Sequence, residues 1–208
     1  MYYYILFAFI GVLVIWTLGS YLVVRNLEEP SYTVIEKRNG YEIRQYQPYI
    51  IAETEVTGSY DEATNAGFRI IADYIFGNNT AKESIAMTTP VLEQTSEKIA
   101  MTTPVINTLE NEETRKISFV LPSQYTMETL PLPNNPRVLI TPVKGRKVAV
   151  LSFTWYATAK RVVEKKQKLQ NLLARDNERI IGDVQVARIN PPLSMPLTLR
   201  NEIIIPIE

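Results

Sequence analysis

The sequence predicts an α+β protein: a curved antiparallel sheet or distorted β-barrel of two pseudo-repeated ββαββ halves, flanked by two long helices and preceded by an N-terminal transmembrane helix. Three observations lead there. An uncharged apolar run opens the chain, one order of strand and helix patterns recurs along the remainder, and each pass carries a single amphipathic helix between strands. With 208 residues there is room for a membrane segment and one globular domain with a proper core. The expected divisions are an anchor over residues 1–25, a short polar tether over 26–31 and a domain over 32–208.

Residues 5–24 contain no charged side chain, and about 20 apolar residues match the hydrocarbon thickness of a bilayer. Tyr2, Tyr3 and Tyr4 at one end and Tyr21 near the other suit the headgroup level. A secretory signal peptide is the rival reading, but the basic n-region and the small-x-small cleavage site it needs are both missing. The basic residues lie on the C-terminal flank, at Arg25 and then Lys37 and Arg38, which favours the cytoplasmic side for the domain.

Three strand-like runs come next, at residues 32–37, 41–46 and 49–56. Asn39-Gly40 marks a hairpin between the first two, and Gln47-Pro48 a second turn. Ser59 and Glu62 form a capping box ahead of a helix over residues 60–76, whose apolar positions Ala63, Gly67, Ile70, Ile71, Tyr74 and Ile75 share a face. Gly77-Asn78-Asn79 supplies left-handed residues to end it.

The chain then says the same thing twice. Ile85-Ala86-Met87-Thr88-Thr89-Pro90-Val91 returns as Ile99-Ala100-Met101-Thr102-Thr103-Pro104-Val105. Each copy is rich in β-branched and apolar residues, and the polar linker between them is long enough to turn, so a hairpin of two like strands is the simplest geometry. The other geometry is an inserted copy looping off an edge. Residues 116–121 read as a further strand, and the prolines at 122, 131, 133 and 136 make residues 122–136 a surface loop.

The second pass begins with strands at 137–143 and 147–153, read as a hairpin across Lys144-Gly145-Arg146. Thr158 caps a helix that runs to Arg175, with Val162, Leu169, Leu172 and Leu173 on its buried side. Strands at 185–189 and 202–207 complete the pattern. Two such halves, docked face to face, are expected to leave an apolar cleft between them.

Composition excludes much chemistry. There is no Cys and no His, which removes disulfides, thiol nucleophiles, His-assisted serine catalysis and most zinc or copper sites. Lys plus Arg equals Asp plus Glu at 22 each, so no global field attracts nucleic acid and no nucleic-acid partner is expected. No phosphate-cradling glycine loop or paired-carboxylate signature stands out, so nothing argues for an enzyme.

The stretches Tyr41-Glu42-Ile43-Arg44-Gln45-Tyr46, Pro48-Tyr49-Ile50-Ile51-Ala52, Gly67-Phe68-Arg69, Tyr74-Ile75-Phe76-Gly77-Asn78, the IAMTTPV copies, residues 119–133 and 148–153, Arg188-Ile189-Asn190-Pro191-Pro192 and Arg200-Asn201-Glu202 resemble the SOUL haem-binding protein family. The likeness runs from about residue 32 to residue 207. It implies a distorted β-barrel of two pseudo-repeated halves flanked by two long helices, and binding of haem or a related tetrapyrrole. In this family some members bind through a histidine and others in an apolar groove without a protein ligand to the iron. A chain without histidine is confined to the second mode.

Haem is a flat apolar disc with two carboxylates on one edge, so its site needs a greasy slot with cations at the rim. The first helix of the domain offers candidates for both: Phe68, Ile71, Ala72, Ile75 and Phe76 for the slot, and Arg69 for the rim. The same residues are what a helix needs to cover a sheet with nothing bound. Met87 and Met101 could offer a thioether to iron or fill core gaps, and Tyr74 could face a porphyrin or pack. The basic residues from Lys160 to Lys168 suit propionates or anionic lipid headgroups, or a solvated helix face. The expected function is a membrane-anchored haem- or tetrapyrrole-binding protein, with the lipid bilayer as partner of residues 5–24. The alternative is a membrane-tethered interaction or scaffold module whose cleft is vestigial. A sensor of apolar cationic compounds follows only from analogy with multidrug-binding effector domains.

Overall fold

The computed structural model describes residues 2–25, 27–81, 96–109, 114–191 and 194–208. Helix α1, Tyr2–Arg25, is long and apolar enough over Tyr2–Leu22 to cross a membrane, and its side chains are mostly exposed. Strands β1 (Tyr32–Arg38), β2 (Tyr41–Tyr46) and β3 (Tyr49–Thr57) lead into helix α2 (Tyr60–Ile75). A two-residue strand β4 (Asn79–Thr80) precedes β5 (Val105–Leu109) and β6 (Thr114–Val120). A second short strand, β7 (Leu132–Pro133), sits inside the proline-rich loop and pairs with β4. Then come β8 (Leu139–Val143), β9 (Arg146–Phe153), helix α3 (Ala159–Arg175), β10 (Gln185–Arg188), a 3-10 turn at Pro196–Thr198 and β11 (Asn201–Pro206).

The main sheet is antiparallel, in the order β1-β2-β9-β11-β10-β5-β6-β3-β8. It divides into two four-stranded blocks, β2-β9-β11-β10 and β8-β3-β6-β5, joined where β10 pairs with β5. Each half keeps the predicted ββαββ order, but its first strand lies in the other half's block: β2 pairs with β9 and β8 pairs with β3. The hairpin expected between residues 137–143 and 147–153 is therefore absent. Gly145 instead carries the chain from one end of the sheet to the other, and a Cβ there would come 2.9 Å from the Tyr46 carbonyl oxygen, where the β2–β3 connection passes. Two short connections that span opposite ends of one sheet force it to curl.

Side-chain alternation assigns each face. One face packs on the helices: Ile43, Ala149, Leu151, Ile203 and Ile205 meet Val162, Leu169 and Leu173 of α3, while Ala52, Val56, Ile117 and Phe119 meet Ala63, Ile71, Tyr74 and Ile75 of α2. Helix α2 lies so close that a Cβ at Gly67 would fall 2.4 Å from Ile117 Cγ1, so this position admits no side chain. Its start is held as predicted, with the Ser59 N–H and hydroxyl both donating to Glu62 Oε2, at 3.3 and 2.7 Å. Those two bonds hold the Glu62 carboxyl below its usual range. Thr158 caps α3, accepting from the Arg161 N–H at 3.4 Å.

The opposite face turns inward, and it is full. Tyr46, Val148, Val150, Ile204, Ile51, Ile106 and Val120 are buried there, with Tyr49 touching both halves and its ring centroid 6.2 Å from that of Tyr46. The cavity between them measures only about 10 Å³, about enough for one water. The apolar cleft expected between the halves is thus occupied by their own side chains, because the exchanged strands close the curl tightly.

A charged network fixes the same region. Arg44 on β2 is bidentate to Glu202 on β11, with Nη1 at 3.1 Å from both carboxylate oxygens, and its Nη2 lies 2.8 Å from Glu42. Arg200 links Glu202, at 3.1 Å, to Glu29, at 2.8 Å. Residues 27–31 are therefore not a free tether: Glu28 also accepts from the Thr103 N–H and, through its side chain, from the Ser123 N–H at 2.8 Å.

The first IAMTTPV copy lies outside the described residues, and with it the proposed hairpin of the two copies. The second copy differs from a strand until its last residue. The Ile99 N–H donates to the Ile75 carbonyl at 2.9 Å, Ile99 is buried in the α2 core, and Thr102 donates to the Val120 carbonyl. Ile99 serves as a plug, and β5 starts only at Val105.

Candidate functional site

Where α2, the end of β10 and the second IAMTTPV copy meet, at the rim of the sheet, a cavity of about 290 Å³ opens. Its apolar walls are Leu27, Phe68, Met101, Val105, Ile189 and Pro191. Phe68 projects from α2 with its ring tilted against Phe119, centroids 5.2 Å apart, so its position is set by core packing. Thr64 and Asn65, one turn earlier, complete that wall. The Thr64 hydroxyl is already committed, donating to the Tyr60 carbonyl at 2.6 Å and accepting from Asn107 at 2.9 Å.

Arg188, the last residue of β10, is the cavity's cation. Its Nη2 donates to the Ala157 carbonyl at 3.1 Å, and its guanidinium lies 5.3 Å from the centre of the Tyr60 ring. Arg115 approaches the same ring at 5.2 Å. Among the described residues no carboxylate pairs with Arg188, and its Nε is buried without a hydrogen-bond partner. A buried charged donor left open in this way is costly unless something accepts from it. A neighbouring cavity of about 240 Å³, walled by Tyr156, Asp61 and Leu199, shares Arg188 and Asn190 with the first.

A larger cleft of about 500 Å³ lies between residues 28–31, 47–50 and 120–128. Its walls carry Glu28, Glu29 and Glu128 and no Lys or Arg, so it disfavours an anionic guest. Among the described residues no group of His, Cys, Asp or Glu side chains could hold a metal ion.

The six residues singled out on α2 do not converge. Phe68 lines the rim cavity, but Ile71, Ala72 and Ile75 are buried, Ile71 and Ile75 within the core between α2 and the sheet. Arg69 is exposed, with its Nε turned back to the Asn65 carbonyl at 3.4 Å, and Phe76 is 58% exposed at the far end of the helix. Five residues on two adjacent faces cannot all look into one slot, since successive helical positions are about 100° apart. Tyr74 is core, donating to the Pro131 carbonyl at 2.9 Å, and burial raises its hydroxyl's pKa. Met101 lines the cavity, whereas Met87 lies outside the described residues. The lysines of α3 decorate its outer face. Arg188, Ile189 and Asn190 were visible only as part of a family-like stretch, and Leu27 had no signal at all.

A family model described as SOUL heme-binding protein matches residues 27–206. Heme-binding protein 2 of Homo sapiens is 30% identical over 168 residues, covering 79% of this chain and 76% of that protein. Heme-binding protein 1 of Xenopus laevis is 25% identical over 170 residues, covering 79% and 82%. Of the solved structures, the EcmrR C-terminal domain shares the fold with a TM-score of 0.60 at 7% identity, over 85% of this chain and 98% of that one. Since the family model spans the whole domain from Leu27 to Pro206, the chain belongs to the SOUL heme-binding protein family.

Proposed function

We propose that this chain is a membrane-anchored protein that holds haem or a related tetrapyrrole reversibly in the rim cavity, with no histidine to the iron. The observation that carries the reading is Arg188: a partly buried guanidinium with an open Nε, in the wall of an otherwise apolar cavity that also presents Phe68. Those residues fit the group. Phe68, Met101 and Ile189 would bury apolar ring surface, and Arg188 would receive a carboxylate. At about 290 Å³ the cavity takes part of the macrocycle, leaving the remainder toward solvent or the neighbouring pocket. When bound, the tetrapyrrole would supply its metal's redox and small-ligand chemistry. The chain's own work is to bury, orient and release it, and nothing in its residues supports an enzyme.

Helix α1 would anchor the chain through residues 5–24, and the basic flank at Arg25, Lys37 and Arg38 favours the cytoplasmic side for the domain. Titrating haemin into the full-length chain in detergent tests the binding reading. A saturable Soret shift is expected, with Arg188→Gln and Phe68→Ala each weakening binding about tenfold, in line with one lost charged hydrogen bond or one lost ring contact. Arg69→Gln should bind as the unmodified chain does. Absence of a shift at micromolar haemin, or equal affinity in all three variants, would refute the site. The filled space between the halves favours a second reading, a membrane-tethered interaction module, which would be left standing by that result.

A further inference from the structure

Helix α1 does not simply precede the domain; it is docked on it. Thr17 Oγ1 lies 2.8 Å from Met195 Sδ, and the Met195 N–H donates to Ser20 Oγ at 2.9 Å, leaving Ser20 only 7% exposed in a helix that is otherwise open. These contacts sit inside the apolar span Tyr2–Leu22. Thr17 is five residues before Leu22, which at the helical rise is about 8 Å inward along the axis. A loop that touches the helix there lies at the boundary between headgroups and acyl chains, if the helix crosses a bilayer.

That loop leads to the 3-10 turn Pro196–Thr198, where Leu197 is 56% exposed. The turn is tied to a second exposed apolar pair: the Trp155 N–H donates to the Pro196 carbonyl at 3.1 Å, and Trp155 and Tyr156 are 46% and 49% exposed. Trp155 has a φ of 69°, in the left-handed region that a tryptophan rarely enters. The backbone is held there by the Pro196 bond and by Asn201, whose Nδ2 donates to the Trp155 carbonyl at 2.7 Å. A strained residue held by two hydrogen bonds with its ring outward is a feature that burial does not explain. Behind it, Lys160 and Arg161 open α3, and Arg161 donates to the Tyr156 carbonyl at 2.5 Å. Exposed Trp, Tyr and Leu backed by cations are the composition of a membrane-interface contact.

We infer that Trp155, Tyr156 and Leu197 dip into the headgroup layer of the bilayer that α1 enters, forming a second membrane contact that seats the folded domain on the surface. The inference rests on the reading of α1 as a membrane segment. The chain makes the two separable, because Trp16 and Trp155 are its only tryptophans. Full-length Trp16→Phe and Trp155→Phe proteins are reconstituted in phosphatidylcholine–phosphatidylglycerol vesicles (four to one), with lipids brominated near the glycerol end or near the middle of the acyl chain.

In Trp16→Phe, Trp155 emission is expected to be blue-shifted, to lose about half its intensity to shallow bromines and to resist acrylamide. Adding Leu197→Glu should reverse part of each effect. Trp155 that is untouched by either bromolipid and open to acrylamide would overturn the second contact. In Trp155→Phe, quenching of Trp16 by the mid-chain bromines reports on α1 alone. Its failure would sink the anchor reading, and quenching of Trp16 without Trp155 would sink only the second contact.

Discussion

The inward face of the sheet and its rim are built from the same kinds of side chain and end in opposite states. Between the two halves, Tyr46, Tyr49, Ile106, Val148 and Ile204 leave about 10 Å³. At the rim, Phe68, Met101, Val105 and Ile189 leave about 290 Å³. The interior residues come from strands locked in register by the exchange of β2 and β8, so their spacing is fixed and the space is filled. The rim is bounded by strand ends, by a helix and by the non-strand part of the second IAMTTPV copy, none of which is held by a ladder on every side. Apolar composition therefore does not by itself open a cavity; a gap in hydrogen-bonded framing does. Polar groups do not divide in the same way: Arg44 is satisfied by Glu202 and Glu42, but Arg146 beside the filled interior and Arg188 at the rim each keep a buried Nε without a partner.

The largest expected effect that separates the regions is on the interior. Ile204→Ala should cost about 2–5 kcal/mol, measured by denaturant unfolding, because a rigid, filled site cannot collapse onto the cavity left behind. A loss under about 1 kcal/mol would show that the interior is loose after all.

Tyr46 offers an intermediate effect through pH. Burial, and then the nearby Glu202 carboxylate, push its hydroxyl up to about 12 from an ordinary 10. The folded value is the higher one, so this group's full stabilisation is present below pH 10 and is lost as pH rises from about 10 to about 12. Two units correspond to about 3 kcal/mol. Absorbance titration of the tyrosines beside alkaline unfolding tests this: a Tyr46→Phe protein should titrate one fewer tyrosine late, with the raised Tyr74 hydroxyl still present, and lose less stability in that window. The smallest effect belongs to the rim, where Met101→Ala should cost about 1 kcal/mol or less in the same unfolding assay, since the side chain is 38% exposed, while still weakening haemin binding. A larger stability loss would mean that the rim is core, with no room for a guest.

Local signals were reliable wherever local chemistry decides. The Ser59–Glu62 box, Thr158 as a cap, Asn39-Gly40 with Gly40 at φ 102° and the three-to-four spacing on both helices all correspond to observed elements. The Lys144-Gly145 turn failed because a short connection says only that the chain continues, and its flanking strands found better partners across the sheet. Ile71 and Ile75 pack in the core instead of lining the rim cavity for a related reason: an apolar face looks the same in sequence whether a sheet or a ligand covers it.

By itself, the sequence determined both long helices of the domain and the principal strands, the doubled ββαββ order, the apolar N-terminal helix and the absence of any imidazole or thiol, since each depends on residue type and short-range spacing. Only the tertiary structure decided that β2 and β8 change places, that the space between the halves is closed, and that Leu27, Phe68, Met101 and Arg188 share one cavity. Those facts depend on which surfaces meet across residues far apart in the chain, and the energy of such meetings is spread over packing that no local pattern encodes.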